Sequence, residues 1–246
     1  MRLLLINPNT TAVITAQVAA AARAAAAPGT EIVEATGAFG AAVIGSRAEN
    51  AIAAHAVLHA ATSQPAPYDA VILAVSLDTA LDALREALDV PVVGLTEAAL
   101  LTATMVSRRA ALLTLGPRLV PVYAELIAHY GLAARVPAVE ALTQTPQDFL
   151  RDPAAARAAL QAHCERLAQQ GAEAIVLAGA VFAGHAAAVQ PALPVPLIDG
   201  APAAVALAEM LVRLRLPKAR VGSLSSITGR ASQGLAPGLA AWLARS

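Results

Sequence analysis

Several side chains and one stretch of backbone have the type and placement to do chemistry. Asn7 ends the apolar run Leu3 to Ile6 beside Pro8, where its amide can donate to a ligand carbonyl or carboxylate or can simply cap the turn. Ser76 follows the apolar segment Ala70 to Val75 and offers a nucleophile or a hydroxyl donor, although a serine acts as a base only with a neighbour to take its proton. Asp78 is either an acid–base group or the cap of the helix that begins there. Thr114 closes another apolar run, Ala110 to Leu115, where its hydroxyl faces a ligand or bonds back to the strand. The amides of Gly179, Ala180 and Val181, at a further strand-to-helix turn, suit an anion or oxyanion without any side chain.

Other groups read as scaffolding. His55 and His59 have i, i+4 spacing, but neither a catalytic Glu nor a third ligand accompanies them, so they are expected on a solvated helix face. Cys164, the single cysteine, lies with His163 in a polar helix and is expected to be structural; it excludes an internal disulfide and a cysteine-based metal cluster. His185 lies on the helix after Gly179, with one face to the core. Glu97 is expected to hold a helix start. No Gly-rich phosphate loop precedes a helix, so neither a nucleotide nor a metal is expected.

The elements that must position these groups come as a unit used twice. Residues 69–99 and 173–204 each read as a buried strand (Ala70 to Val75, Ala174 to Gly179), a small-residue helix, a second strand behind a Val-Pro pair, and another helix. Val75 and Gly179 end the first strands, 179 − 75 = 104 residues apart. The Leu3 strand precedes the first copy as the Ala110 strand precedes the second. Strands alternating with helices predict an α/β fold: two pseudo-symmetric lobes of parallel sheet flanked by helices, with the site in the cleft at the strands' carboxyl ends. Lobe 1 is expected to span 1–98 with 200–246, lobe 2 to span 99–199, and the helix from about Ala201 to return to lobe 1. Thr36 to Ser46, with Gly37, Gly40 and Gly45, reads as a loop able to act as a lid, and Pro65 and Pro67 as a chain break.

Composition sets the class. Lys plus Arg (17) equals Asp plus Glu (17), and no basic block interleaves with aromatics, which argues against nucleic acid and anionic lipid as partners. Asn7-Pro8-Asn9 stops the first apolar run far short of a signal sequence, and no run approaches the roughly 18 apolar residues of a membrane span. A cytoplasmic protein acting on a small molecule is expected.

Ile6-Asn7-Pro8-Asn9-Thr10, Asp78-Thr79 with Leu81, Pro91-Val92-Val93-Gly94 with Glu97-Ala98-Ala99, and Gly171 to Leu177 closing on Pro196-Leu197-Ile198-Asp199-Gly200 together resemble the hydantoin and allantoin racemase branch of the aspartate/glutamate racemase superfamily. The resemblance runs from about Arg2 to Leu216. It implies two lobes, no cofactor, a homo-oligomer, and a pair of thiols on opposite sides of the substrate carbon at the positions of Val75 and Gly179. It also implies that Asn7, Asp78 and Thr79 stand at the pocket rim.

Valine and glycine carry no titratable group, so the two-thiol proton transfer cannot run here. Gly179 leaves room for a larger substituent or a water, with Phe39 and Phe182 as candidate linings. The expected catalytic residues are therefore Ser76 and Asp78. The expected binding residues are Asn7, Phe39, Val75, Thr79, Thr114, Gly179, Ala180, Val181 and Phe182. The expected reaction is a hydrolytic or lyase-type cleavage of a hydantoin-like ring or small carboxylate. The alternatives are a racemase with substitute bases, Arg47 or Glu49 from the loop among them, and a non-catalytic ligand-binding homologue.

Overall fold

The repeat folds as two parallel sheets. In the computed structural model β1 (Arg2–Asn7), β2 (Glu31–Thr36), β3 (Ala70–Leu73) and β4 (Val92–Gly94) pair in the order β2-β1-β3-β4. The second sheet pairs β5 (Ala110–Leu115), β6 (Ala138–Leu142), β7 (Ala174–Ala178) and β8 (Leu197–Asp199) in the matching order β6-β5-β7-β8. Leu3 lies opposite Ala70 and Ala110 opposite Ala174, so the two central pairs share one register. The structure describes residues 1–64, 67–226 and 228–245, without the side chains of 146, 147 and 150. Pro65, expected to break the chain, lies outside them.

The helices are α1 (Ala12–Ala25), α2 (Arg47–Ser63), α3 (Leu81–Ala87), α4 (Leu95–Val106), α5 (Val120–His129), α6 (Pro146–Arg151), α7 (Pro153–Gln169), α8 (His185–Val189), α9 (Gly200–Leu214) and α10 (Pro237–Ala244). Alternation along the central strands sends side chains to two faces. Leu4, Ile6, Val71, Leu73 and Val75 join α2 and α3 in an outer core. Leu113, Ile175 and Leu177 join α7 and α8 in the other outer core. Leu3, Leu5, Ile72 and Ala74 share one central core with Leu112, Val176 and Ala178 of the second sheet, filled by α1, α4, α5 and α9. The alanine-rich helices suit that layer, because small side chains let backbones approach closely.

Two helices change sides. α4 follows β4 but packs along β7 and β8, while α9 follows β8 and packs along β3 and β4; the two lie against each other. Where they cross, a Cβ on Gly200 would stand 2.8 Å from the carbonyl oxygen of Leu95, so only glycine permits the approach. Beyond α9 the tail straps lobe 1. Lys218 Nζ donates to the carbonyl oxygen of Glu86 (2.5 Å), and Trp242 Nε1 (3.0 Å) and Arg245 Nη2 (2.5 Å) donate to that of Ala87. These donors cap the C-terminus of α3, where cations are favoured.

The sequence differs from the structure at one connection. After β7 the chain makes a single 3-10 turn, Ala180–Phe182, and only then the short α8, where the sequence reading runs the strand directly into a helix. Among the described residues no helix is long and apolar enough to cross a membrane.

Candidate active site

The carboxyl ends of β1, β3, β5 and β7 converge where the lobes meet, and what each presents follows from burial. Asn7 is fully buried, and both its amide hydrogens are engaged, by Asn9 Oδ1 (2.9 Å) and Thr15 Oγ1 (2.9 Å); its own oxygen accepts from the Asn9 amide (3.2 Å). The amide expected to bind a ligand therefore sets the shape of the β1–α1 turn. That turn carries the 37–46 loop: Gly37 N donates to Asn7 O (2.7 Å), Thr10 N to Ala41 O (3.1 Å) and Thr11 Oγ1 to Ala42 O (2.7 Å). A Cβ on Gly37 would lie 2.4 Å from the Pro8 oxygen, which explains the glycine.

A bidentate pair links the start of α2 to α5 of the other lobe, Arg47 Nη1 and Nη2 to Glu125 at 2.8 and 2.7 Å. Glu49 accepts from Gly45 N (2.9 Å) and Ser46 Oγ (2.9 Å) as part of the α2 cap, and those bonds hold its carboxyl below its usual range. Arg47 and Glu49, considered as substitute bases, are thus engaged in holding the loop. Phe39 rests edge-on against His55 and His59 at centroid distances of 5.0 and 5.7 Å.

After β3 the backbone is strained: Asp78 (φ 47°) and Ala80 (φ 62°) are both left-handed without being glycine, a cost of about 1 kcal/mol or more each. Asp78 repays it as a cap, but of α4 and not of α3. Its carboxylate accepts from Thr96 N (3.0 Å), Glu97 N (2.7 Å) and Tyr130 OH (2.8 Å). Burial, opposed by those three donors, pushes its carboxyl up to about 7. Glu97 pairs with Arg85, joining α4 to α3. Thr79 is buried and donates to Asn50 Oδ1 (2.5 Å).

Because the folded Asp78 carboxyl holds its proton more tightly than the unfolded one, its contribution to stability is full below about pH 4 and is lost as pH rises through about 7. Glu140, Glu173 and Glu209, held below their usual range, act in the opposite sense and lose their contribution in acid. Thermal melting across pH should show highest stability on the acid side of neutrality, and Asp78→Asn should flatten the fall between about pH 4 and 7.

Ser76 is the half-exposed polar group of this loop. Its Oγ lies 2.8 Å from Tyr123 OH, on α5 of the other lobe, and its carbonyl accepts from Thr96 Oγ1 (2.6 Å). Tyr123 is buried, and burial pushes its hydroxyl up to about 12, so at neutral pH it is a donor and not a base. Thr114 is equally buried at the end of β5. Tyr123 was not legible as a site residue, since it sits in an apolar helix pattern 47 residues from its partner.

On the facing side Gly179 adopts φ 155°, and a Cβ there would lie 3.2 Å from Phe182 Cδ2. Phe182 is buried edge-on to Phe149 (5.4 Å), with His185 on Phe149's other contact (5.3 Å). Ala180 and Val181 are half-exposed. Val75 is 6% exposed and its side chain joins the outer core of lobe 1, leaving Ser76 as the neighbour with open surface. Cys164 is buried in the outer core of lobe 2, where burial pushes its thiol up to about 12, an inert state. Asp199 mirrors Asp78 from the strand side: it accepts from Ala201 N (3.0 Å) and Gly184 N (2.7 Å), tying the Gly179 loop to the start of α9.

One surface cavity, about 790 Å³, is lined by Met105, Arg108, Arg135 and Glu173 at the opposite, amino-terminal ends of β5 and β7. Another, about 190 Å³, opens beside Asp78 and Tyr130 along the seam between α3 and α5. Neither includes Ser76 or Gly179 in its lining.

Two lobes of parallel sheet with strand ends meeting in a cleft define a class of α/β proteins that binds small molecules at that junction. The chain belongs to the Asp/Glu/hydantoin racemase family, whose model matches residues 3–208. It is similar to the hydantoin racemase of Pseudomonas sp. (strain NS671), 34% identical over 87% of each chain. Among solved structures it is similar to the allantoin racemase of Klebsiella pneumoniae (TM-score 0.92, 34% identity, 97% of this chain and 98% of that one). It is likewise similar to the allantoin racemase of Pseudomonas fluorescens (TM-score 0.88, 37% identity, 92% and 97%). These relatives are named racemases, so they carry the isomerase alternative and not the hydrolytic or lyase-type step expected from the missing thiols.

Proposed function

We propose that the chain binds a hydantoin- or allantoin-like ring in the cleft and exchanges the hydrogen on its ring carbon next to the carbonyl, an isomerase reaction run without thiols. The observation that supports this reading is the similarity to relatives named hydantoin and allantoin racemases over nearly the whole of both chains. Removing that hydrogen puts negative charge on the carbonyl oxygen, and fixed donors aimed at that oxygen stabilise the enolate. Ser76, held by Tyr123, supplies a hydroxyl on one side, and the backbone at Gly179 to Val181 supplies amides on the other. With no base at Val75 or Gly179, water on one face of the ring carbon takes the proton, and water on the opposite face, with one of the two beside Gly179 and the other beside Ser76, returns one, which inverts the centre. A positioned acid–base group contributes roughly 10²–10⁴-fold, so turnover should be slow.

A second reading, ligand binding without turnover, is favoured by the same two positions, since neither residue titrates.

Incubation in heavy water with single enantiomers of allantoin and 5-substituted hydantoins, read by NMR against a protein-free blank, separates the two. Deuteration at the ring carbon above the blank, with loss of optical purity, is the expected result. Saturable ligand-induced shifts without exchange above the blank would establish the binding homologue, and absence of both would remove a ureide ring from consideration.

A further inference from the structure

The loops after β3 and β7 are each gripped by the other lobe. Tyr123, on α5 of lobe 2, holds Ser76 in the loop that follows Val75. Gln17, on α1 of lobe 1, donates its Nε2 to Val181 O (2.9 Å) and Ala183 O (3.3 Å) in the loop that follows Gly179.

The two contacts occupy equivalent places. The registers make Asn7 the counterpart of Thr114. Gln17 lies 17 − 7 = 10 residues beyond the first and Tyr123 lies 123 − 114 = 9 beyond the second, so each is on the first α-helix after its lobe's leading strand, 17 − 12 = 5 and 123 − 120 = 3 residues past the start. The chemistry differs while the geometry repeats: a side-chain amide meets two carbonyls on one side, and a hydroxyl meets a hydroxyl on the other. Each loop's other tie, Asp78 to the start of α4 and Asp199 to the start of α9, fixes the far end of the loop and leaves the segment nearest the strand to the Tyr123 or Gln17 contact.

We propose that Gln17 and Tyr123 are a reciprocal pair of positioning residues, each setting the wall of the cleft that belongs to the opposite lobe. This rests on the reading that the Val75 and Gly179 loops wall the ligand site. Closing the lobes then assembles both walls at once, and separating them releases both. Gln17 is half-buried and Tyr123 buried. Gln17→Met and Tyr123→Phe keep their length or ring while removing the donor.

The test is amide hydrogen exchange of the full chain, followed by mass spectrometry. Tyr123→Phe should speed exchange in residues 75–80 by roughly fivefold, the order for losing one part-buried hydrogen bond, and leave 179–184 unchanged. Gln17→Met should do the converse. Ser76→Ala removes the same bond as Tyr123→Phe from its other end and should give the same local loosening, which keeps the test available if the tyrosine variant folds poorly. Loosening confined to the variant's own lobe, equal loosening of both loops in each variant, or no change in either would overturn the proposal. A wild-type protein that binds no ureide would remove the proposed function while leaving this crossed pattern to stand or fall alone.

Discussion

Gly94→Ala should unfold the chain far more readily than its single added methyl suggests. A Cβ at position 94 would stand 2.4 Å from the carboxyl carbon of Asp78 and 2.5 and 2.8 Å from its oxygens, distances no relaxed structure tolerates. The carboxylate must leave, which strips the amides of Thr96 and Glu97 and the hydroxyl of Tyr130 of their acceptor inside a buried site. Charge-assisted bonds of this kind are worth about 1.5–3 kcal/mol, so a loss of about 3 kcal/mol or more is expected in urea denaturation. The double variant Gly94→Ala/Asp78→Ala supplies the control. With the carboxylate gone the methyl has space, so the two changes together should cost clearly less than their sum. Additive losses would mean that the glycine serves some other contact.

The second large effect concerns chemistry. Val75→Cys should raise ring-hydrogen exchange in heavy water by about 10² or more, the contribution of one placed acid–base group. Val75 lies in the outer core, and cysteine, smaller and unbranched, has χ1 rotamers that valine's branching disfavours. Exchange on one face returns the hydrogen to that face, so inversion should lag far behind exchange. Adding Gly179→Cys should let inversion catch up, at a cost of about 1–3 kcal/mol, because φ 155° suits glycine and Phe182 Cδ2 lies 3.2 Å from the new Cβ. Chiral chromatography beside NMR separates inversion from exchange. A Val75→Cys enzyme with unchanged exchange would show that the β3 loop does not face the ring carbon.

Most of the fold was legible because it depends on short-range pattern. Continuous apolar runs at Leu3, Ala70, Ala110 and Ala174 are all central strands, and the 104-residue repeat between Val75 and Gly179 is the relation between the two sheets. The site was legible only where chain neighbours decide it. Ser76 and the Gly179 turn could be placed from the strands before them. Asp78 looked like a cap for α3 because that helix begins next to it, yet its acceptors serve α4, 18 and 19 residues away, a choice made by the left-handed turn at Asp78 and Ala80. Asn7 carries the right amide at a strand end, but Asn9 and Thr15 claim it, and nothing in residue type reveals that competition. Tyr123 and Gln17 were invisible for a related reason: each sits in an ordinary helix pattern and acquires its role only when the other lobe arrives.

The traded helices say something about where such a chain comes from. A single β-α-β-α half, standing alone, has a sheet lacking one cover and a last helix with its apolar face unprotected. Two identical halves satisfy both needs by exchanging that helix about a two-fold axis, which is the arrangement of a swapped homodimer. Joining the halves in one gene makes the exchange intramolecular, at an effective concentration on the order of millimolar. It also releases the two copies from having to match. Valine now stands where the other copy has glycine, and serine where it has alanine, so the sheets keep a symmetry that the loops after β3 and β7 do not.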